Sequence, residues 1–251
     1  MSILTFKKLA FGCLALSAAL LSNQAQASIS LSGTRLILPE KQQEASIVVR
    51  NDNSPILVQS WLETNTDHDQ AELPFAITPA LVKVAPNGQQ VMRVLYAGGD
   101  QGLPRDRETV LWLNIQEIPQ QSPGDNQLQI AIRQRIKLFF RPDGLPGSAA
   151  QAPVDLQWSV VNAQGAPMLE IHNPSAYHVS MSTLRNAKGQ EMEDPGMIAP
   201  GQTRRVPLGR SGAQDTLQFR AISDYGSADP YEVRLNGQSK VQARALSSDT
   251  P

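Results

Sequence analysis

The stretch QLQIAIRQRIKLFFR, from Gln127 to Arg141, limits what this chain can fold into more than any other segment. Its even positions read Leu128, Ile130, Ile132, Gln134, Ile136, Leu138 and Phe140, apolar at all but Gln134. Its odd positions are mostly polar or basic, among them Arg133, Arg135, Lys137 and Arg141. Alternation with period two predicts a β-strand with one apolar face. At about 3.3 Å per residue it would span roughly 45 Å, longer than most strands. Such a strand is either a long core strand of a sandwich or one whose apolar row runs past its own core and waits for another protein.

The rest of the chain supplies partners of the same kind. Ile29 to Leu38 reads as a first strand with Arg35 placed oddly in its middle. Ala45–Arg50, Ile56–Glu63, Gln89–Tyr96 and Thr109–Ile118 read as further strands, separated by turn residues such as Asn51-Asp52-Asn53-Ser54-Pro55 and Pro86-Asn87-Gly88. Phe75–Val84, interrupted by Pro79, reads as edge structure. A run of Pro, Gly and small residues from Pro142 to Ala150 marks a domain boundary. Beyond it strands are expected over Val154–Val161, Met168–Ile171, His178–Leu184, Thr203–Val206, Thr216–Ile222 and Glu232–Leu235. Many short strands at this spacing without an amphipathic helix predict two β-sandwiches, and two sandwiches on a short link leave a cleft between them.

At the N-terminus, Lys7 and Lys8, the apolar run Leu9–Leu21 and Ala25-Gln26-Ala27 read as a signal peptide over residues 1–27. The apolar run is too short to predict a membrane span. Two of the 22 basic residues leave with the signal, so 20 face 23 acidic ones, a net charge of −3 that gives no support to nucleic-acid binding. Cys13 leaves too, so the exported chain must hold together without disulfides. The domains are expected at residues 28–144 and 145–246, with a polar, disordered tail over 247–251.

A catalytic set is not expected. A thiol nucleophile goes with the signal, and His68, His172 and His178 are dispersed, without the helical spacing of a zinc site. Neither a phosphate-binding Gly-rich loop nor a Gly-x-Ser-x-Gly elbow is present. No enzyme activity, cofactor or metal is therefore predicted. What remains is a binding surface. Arg35 and Lys137 are cations within strand-like runs; brought together in the cleft, a guanidinium fork and a compact ammonium would make a carboxylate receptor.

The segment LPRDRETVLWLNIQEIP, Leu103 to Pro119, resembles the signature of the periplasmic chaperones of the chaperone–usher pilus pathway, the PapD-like family. In the family's order follow Gly33-Thr34-Arg35, Asn51-Asp52-Asn53, Ile136–Pro142, His172–Tyr177 and Ile222–Gly226. The resemblance implies a boomerang of two immunoglobulin-like domains that caps pilus subunits in the periplasm on their way to an outer-membrane usher. It implies that Leu128, Ile130 and Ile132 are donated to a groove in the subunit, a strand addition. It implies that Arg35 and Lys137 hold the subunit's C-terminal carboxylate, and that Glu108, Arg141 and Asp224 form a charge network fixing the angle between domains. The alternative is a structural pilus subunit or adhesin of immunoglobulin-like domains, but only Ser28 precedes the first strand, leaving no N-terminal donor extension. Membrane insertion is not expected. Self-association of the free chain, to cover its apolar edge, is an open expectation.

Overall fold

The computed structural model describes residues 29–247 apart from 53, 65–72, 99–102, 121–129, 164 and 210. The signal peptide, His68, Leu128 and residues 248–251 lie outside the described residues.

The first half forms nine strands: β1 (Ile29–Leu31), β2 (Arg35–Pro39), β3 (Glu44–Asn51), β4 (Ile56–Glu63), β5 (Phe75–Thr78), β6 (Leu81–Val84), β7 (Gln89–Tyr96), β8 (Thr109–Pro119) and β9 (Arg133–Arg141). They assemble into a four-stranded sheet, β1-β3-β7-β5, facing a five-stranded sheet, β2-β9-β8-β4-β6. The second half repeats the plan with β10 (Gln157–Ala163), β11 (Ala166–His172), β12 (Val179–Arg185), β13 (Met197–Ile198), β14 (Thr203–Pro207), β15 (Thr216–Ile222), β16 (Ala228–Arg234), β17 (Val241–Gln242) and β18 (Arg244–Ala245). Its sheets run β14-β11-β10-β17 and β13-β12-β15-β16-β18. The fold is therefore all-β, two immunoglobulin-like sandwiches, each with its own core.

Three expectations change. Ile29–Leu38 is not one strand: β1 pairs with β3 in one sheet, while β2 runs parallel to β9 in the other. The chain crosses between sheets around Gly33, and Arg35 becomes the first residue of its strand instead of an oddity within one. Among the described residues of the alternating stretch, Ile130–Ile132 are not regular strand, because β8 pairs with it no further than Gln116 to Arg133; Gln127–Gln129 lie outside the described residues. Val154 and Asp155 belong to a short helix, Ala152–Asp155, with Pro153 in its first turn, so the expected strand starts later, at Gln157. The edge reading of Phe75–Val84 is met: β5 and β6 are edge strands of different sheets, separated at Pro79 and Ala80.

The first core is built from one face of β9 and its neighbours. Leu138 and Phe140 are fully buried, and Phe140 packs on Tyr96 and Phe75 at ring separations of 4.5 and 5.4 Å. Leu138→Ala removes side-chain volume from a site enclosed by both sheets. It should cost about 2–5 kcal/mol of stability, read from the midpoint of chemical denaturation; a loss below about 1 kcal/mol would mean that the core collapses into the space.

Candidate functional site

The register of the parallel pair β2 and β9 sets the first feature. Arg35 lies directly opposite Lys137, as Leu36 does Leu138 and Leu38 does Phe140. The leucines and Phe140 fill the core, so Arg35 and Lys137 project from the other face, side by side. That face looks onto the second sandwich. Arg35 Nη1 donates to the Ile222 carbonyl at 2.9 Å, at the end of β15, and Lys137 Nζ donates to Ser180 Oγ at 3.2 Å, on β12. Sequence reasoning named the cations but not these partners.

Among the described residues, neither cation has a carboxylate within 4.0 Å. Their affinity for protons is correspondingly weakened. Burial pulls the Arg35 guanidinium below its ordinary value, with Asp224 and Glu108 opposing at a distance. Burial also lowers the Lys137 ammonium, the Arg35 charge lowers it further, and Asp194 partly opposes. Each cation is thus held partly out of water beside a like charge. A carboxylate placed between them would relieve both penalties and accept charge-assisted hydrogen bonds.

A second arginine on β9 is satisfied. Arg141 donates through Nε and Nη2 to Glu108 Oε1 at 3.0 and 2.7 Å, and through Nη1 and Nη2 to the two Asp224 oxygens at 2.8 and 3.1 Å. Glu108 Oε2 accepts the His178 backbone N–H at 2.9 Å and lies 3.0 Å from His178 Nδ1. The Glu108 backbone N–H adds a bond to the Ala176 carbonyl at 2.9 Å. Burial alone would weaken the Arg141 guanidinium's hold on its proton, but the hydrogen bonds and charges of Asp224 and Glu108 outweigh it and leave its pKa raised. Glu108 and Arg141 come from the first sandwich, Asp224 and His178 from the second, so the structure brings together the three residues named from sequence and adds His178.

Around these charges the joint is apolar and aromatic. Phe139, the aromatic on the polar face of the alternating stretch, is buried against the second sandwich, 5.7 Å from the His178 ring, with the Arg35 guanidinium over it at 5.6 Å. Arg141 lies over Tyr177 at 5.2 Å. A cleft of about 290 Å³ opens here, its walls including Arg35, Phe139, Arg141, His178, Asp224 and Tyr225. Phe139 was the one sequence signal for this contact: an aromatic where the alternation called for a polar residue.

Further back along β9 the apolar face leaves the core. Relative exposure is 0 % at Phe140 and Leu138, 9 % at Ile136, 36 % at Ile132 and 66 % at Ile130. The backbone opens in step. β2 covers only Lys137–Arg141, so among the described residues Arg133–Ile136 have β8 on one side and no strand on the other. Ahead of Arg133 a single bond, from Glu117 N–H to the Ile132 carbonyl at 2.9 Å, continues the ladder. Among the described residues, the sandwich thus presents a free strand edge with apolar side chains on one face and Arg133 and Arg135 on the other. Among the described residues no group of His, Cys, Asp and Glu is arranged to hold a metal ion, and no helix is long and apolar enough to cross a membrane.

Residues 28–146 match the family model described as pili and flagellar-assembly chaperone, PapD N-terminal domain, and residues 151–233 match pili assembly chaperone PapD, C-terminal domain. The chain is 34 % identical over 238 residues to the chaperone protein FimB/FhaD of Bordetella pertussis, covering 89 % of this chain and 96 % of that one. It is 36 % identical over 228 residues to the probable fimbrial chaperone YadV of Escherichia coli, covering 85 % and 92 %. The crystal structure of the YadV chaperone superposes with a TM-score of 0.70 at 34 % identity, covering 83 % of this chain and all of that one. A chain of the Salmonella enterica SafA pilin–SafB chaperone complex superposes with a TM-score of 0.71 at 26 % identity, covering 84 % and 98 %.

Proposed function

This chain belongs to the PapD family of pilus-assembly chaperones, and from that premise we propose which of its residues carry out capture. It is a periplasmic chaperone and not an enzyme: it caps pilus or fimbrial subunits by donor-strand complementation and delivers them to an outer-membrane usher. The donated side chains are Leu128, Ile130 and Ile132. Each is worth roughly 1.5–3 kcal/mol when fully buried, before the cost of association is subtracted. Main-chain bonds along the open edge provide pairing, and pockets for alternate side chains fix the register.

The observation that carries this reading is the exposure gradient along one strand face. An isoleucine row that begins in the core and ends in solvent is of no use to the free sandwich, but it suits a neighbour lacking a strand. Arg35 and Lys137 anchor the subunit's C-terminal carboxylate. Glu108, Arg141 and Asp224 hold the domains, 28–144 and 145–246, at the angle that presents both anchor and donor. The subunit-or-adhesin alternative is set aside, since both domain models and the relatives named above are chaperones.

Mass spectrometry of whatever co-purifies from periplasm with the tagged chain should identify a pilus subunit in one-to-one complex; recovery of the chain within a polymer would overturn the reading. Ile130→Asp should leave the free protein folded, because the side chain is already in water, while weakening capture by tenfold or more on the order of the cost of burying an unpaired charge. Unfolding of the free variant would instead assign Ile130 to the protein's own core.

A further inference from the structure

We infer that Gly226, seated on Thr34, positions the Arg35 guanidinium, so that this contact between domains sets how tightly a carboxylate is held. The inference rests on the reading of Arg35 and Lys137 as the carboxylate anchor. The turn carrying Gly226 is clasped tightly: Ser223 N–H donates to the Ser227 carbonyl at 2.9 Å, Gly226 N–H donates to the Ser223 carbonyl at 3.0 Å, and the two serine hydroxyls are 2.6 Å apart. Gly226 has φ +85°, in the left-handed region that favours glycine.

Backbone freedom is only half of its role. A Cβ on Gly226 would come within 2.7 Å of Thr34 Oγ1, too close for a carbon and an oxygen. The other described glycines with positive φ, such as Gly144, Gly189 and Gly201, have open space at the same place and serve their turns alone. At Gly226 the missing side chain lets the two sandwiches touch.

That touch is made beside the anchor. Thr34 directly precedes Arg35, and the same turn begins at Ile222, whose carbonyl accepts the Arg35 Nη1 bond. Residues 222, 224 and 226 therefore grip Arg35, Arg141 and Thr34 in succession. Any side chain at 226 must either lift the turn, taking the Ile222 carbonyl from Arg35, or push Thr34 and shift the Arg35 backbone. In both cases the guanidinium fork loses its fixed spacing from Lys137, and bidentate geometry is what a fork contributes over a point charge.

The test uses two peptides copying the C-terminal strand of the subunit that co-purifies with the chain, one a free acid and one a C-terminal amide. The ratio of their affinities isolates the carboxylate. In the wild-type chain the acid binds more tightly. Gly226→Ala should reduce that ratio roughly tenfold, the scale of one lost charge-assisted hydrogen bond, and adding Thr34→Ala, which removes Oγ1, should restore it. Strain at φ +85° is present in both variants, so recovery of the ratio without recovery of thermal stability separates positioning from folding. Thr34→Leu crowds the contact from the other side without touching residue 226 and should produce the same loss, which covers the case of a Gly226→Ala chain too unstable to purify. Equal binding of acid and amide by the wild-type chain overturns the anchor itself and this inference with it. A preference left intact by Gly226→Ala or Thr34→Leu, or a loss that Thr34→Ala does not restore, overturns the inference alone.

Discussion

Lys137→Ala should weaken subunit capture by roughly 30-fold or more, on the scale of 2–5 kcal/mol for truncating one partner of a buried charge-assisted contact, while the free chain keeps its fold. The two effects separate because Lys137 contributes little to the free protein. Its Nζ has one hydrogen bond, to Ser180, and stands beside the like charge of Arg35. Burial first, and then Arg35, hold its pKa below the ordinary lysine value of 10.5. In the folded free chain the charged form is therefore disfavoured: its penalty is present at pH below the lowered folded pKa and fades as pH rises towards the unfolded value. Removing the charge at neutral pH leaves stability unchanged or slightly improved. Capture has the opposite sign, since only the ammonium attracts a carboxylate, and it should weaken as pH rises through a midpoint below 10.5. Binding isotherms and denaturation midpoints measured on the same Lys137→Ala preparation decide the matter. Undiminished capture, or capture lost only together with the fold, would remove Lys137 from the anchor.

How much of this was legible in the chain depends on whether the deciding contact is local. Alternation is local, so the strands, the two sandwiches and the apolar row of Ile130, Ile132, Ile136, Leu138 and Phe140 could be read directly. Arg35 could be flagged because a charge inside a strand-like run departs from a local pattern, and Lys137 because the alternation sets it on the face opposite the apolar row. Where a strand stops is not local. Regular pairing with β8 begins at Arg133, so Ile130–Ile132 fall outside the strand, and Ile29–Leu38 splits because its halves find partners in different sheets. The same holds for β16: the strand expected over Glu232–Leu235 starts at Ala228 and runs through Pro230, because β15 offers it partners as far as Ile222. Glu108, Arg141 and Asp224 are far apart in the chain and were named through a family resemblance, not spacing. Ser180, His178 and the Ile222 carbonyl carried no signal at all, since a hydroxyl, an imidazole and a backbone oxygen become partners only once two domains have docked.

A stability effect on the scale of a core truncation is expected at that docking. Glu108→Ala removes the acceptor for Arg141 Nε and Nη2 and for the His178 backbone N–H, and takes the neighbour from His178 Nδ1. The Glu108 side chain is 2 % exposed and Arg141 is 20 % exposed, so the groups left behind are poorly hydrated. Removing one partner of a buried ion pair costs roughly 3–5 kcal/mol, and the lower end applies here because Arg141 retains Asp224. Asp224→Ala should cost less, since its side chain is 34 % exposed and its loss leaves the Glu108 contacts standing. The two variants thus have a predicted order, Glu108 above Asp224, readable from denaturation midpoints. A second consequence separates a joint from an ordinary salt bridge. Arg35 and Lys137 each reach across to the second sandwich, so a loosened joint also blurs the anchor. Glu108→Ala should therefore broaden the distribution of inter-domain distances in small-angle scattering and lower capture under conditions where both sandwiches remain folded. An equal or reversed order of the two variants, or full capture with the joint loosened, would mean that the network holds one domain together and does not set the angle between them.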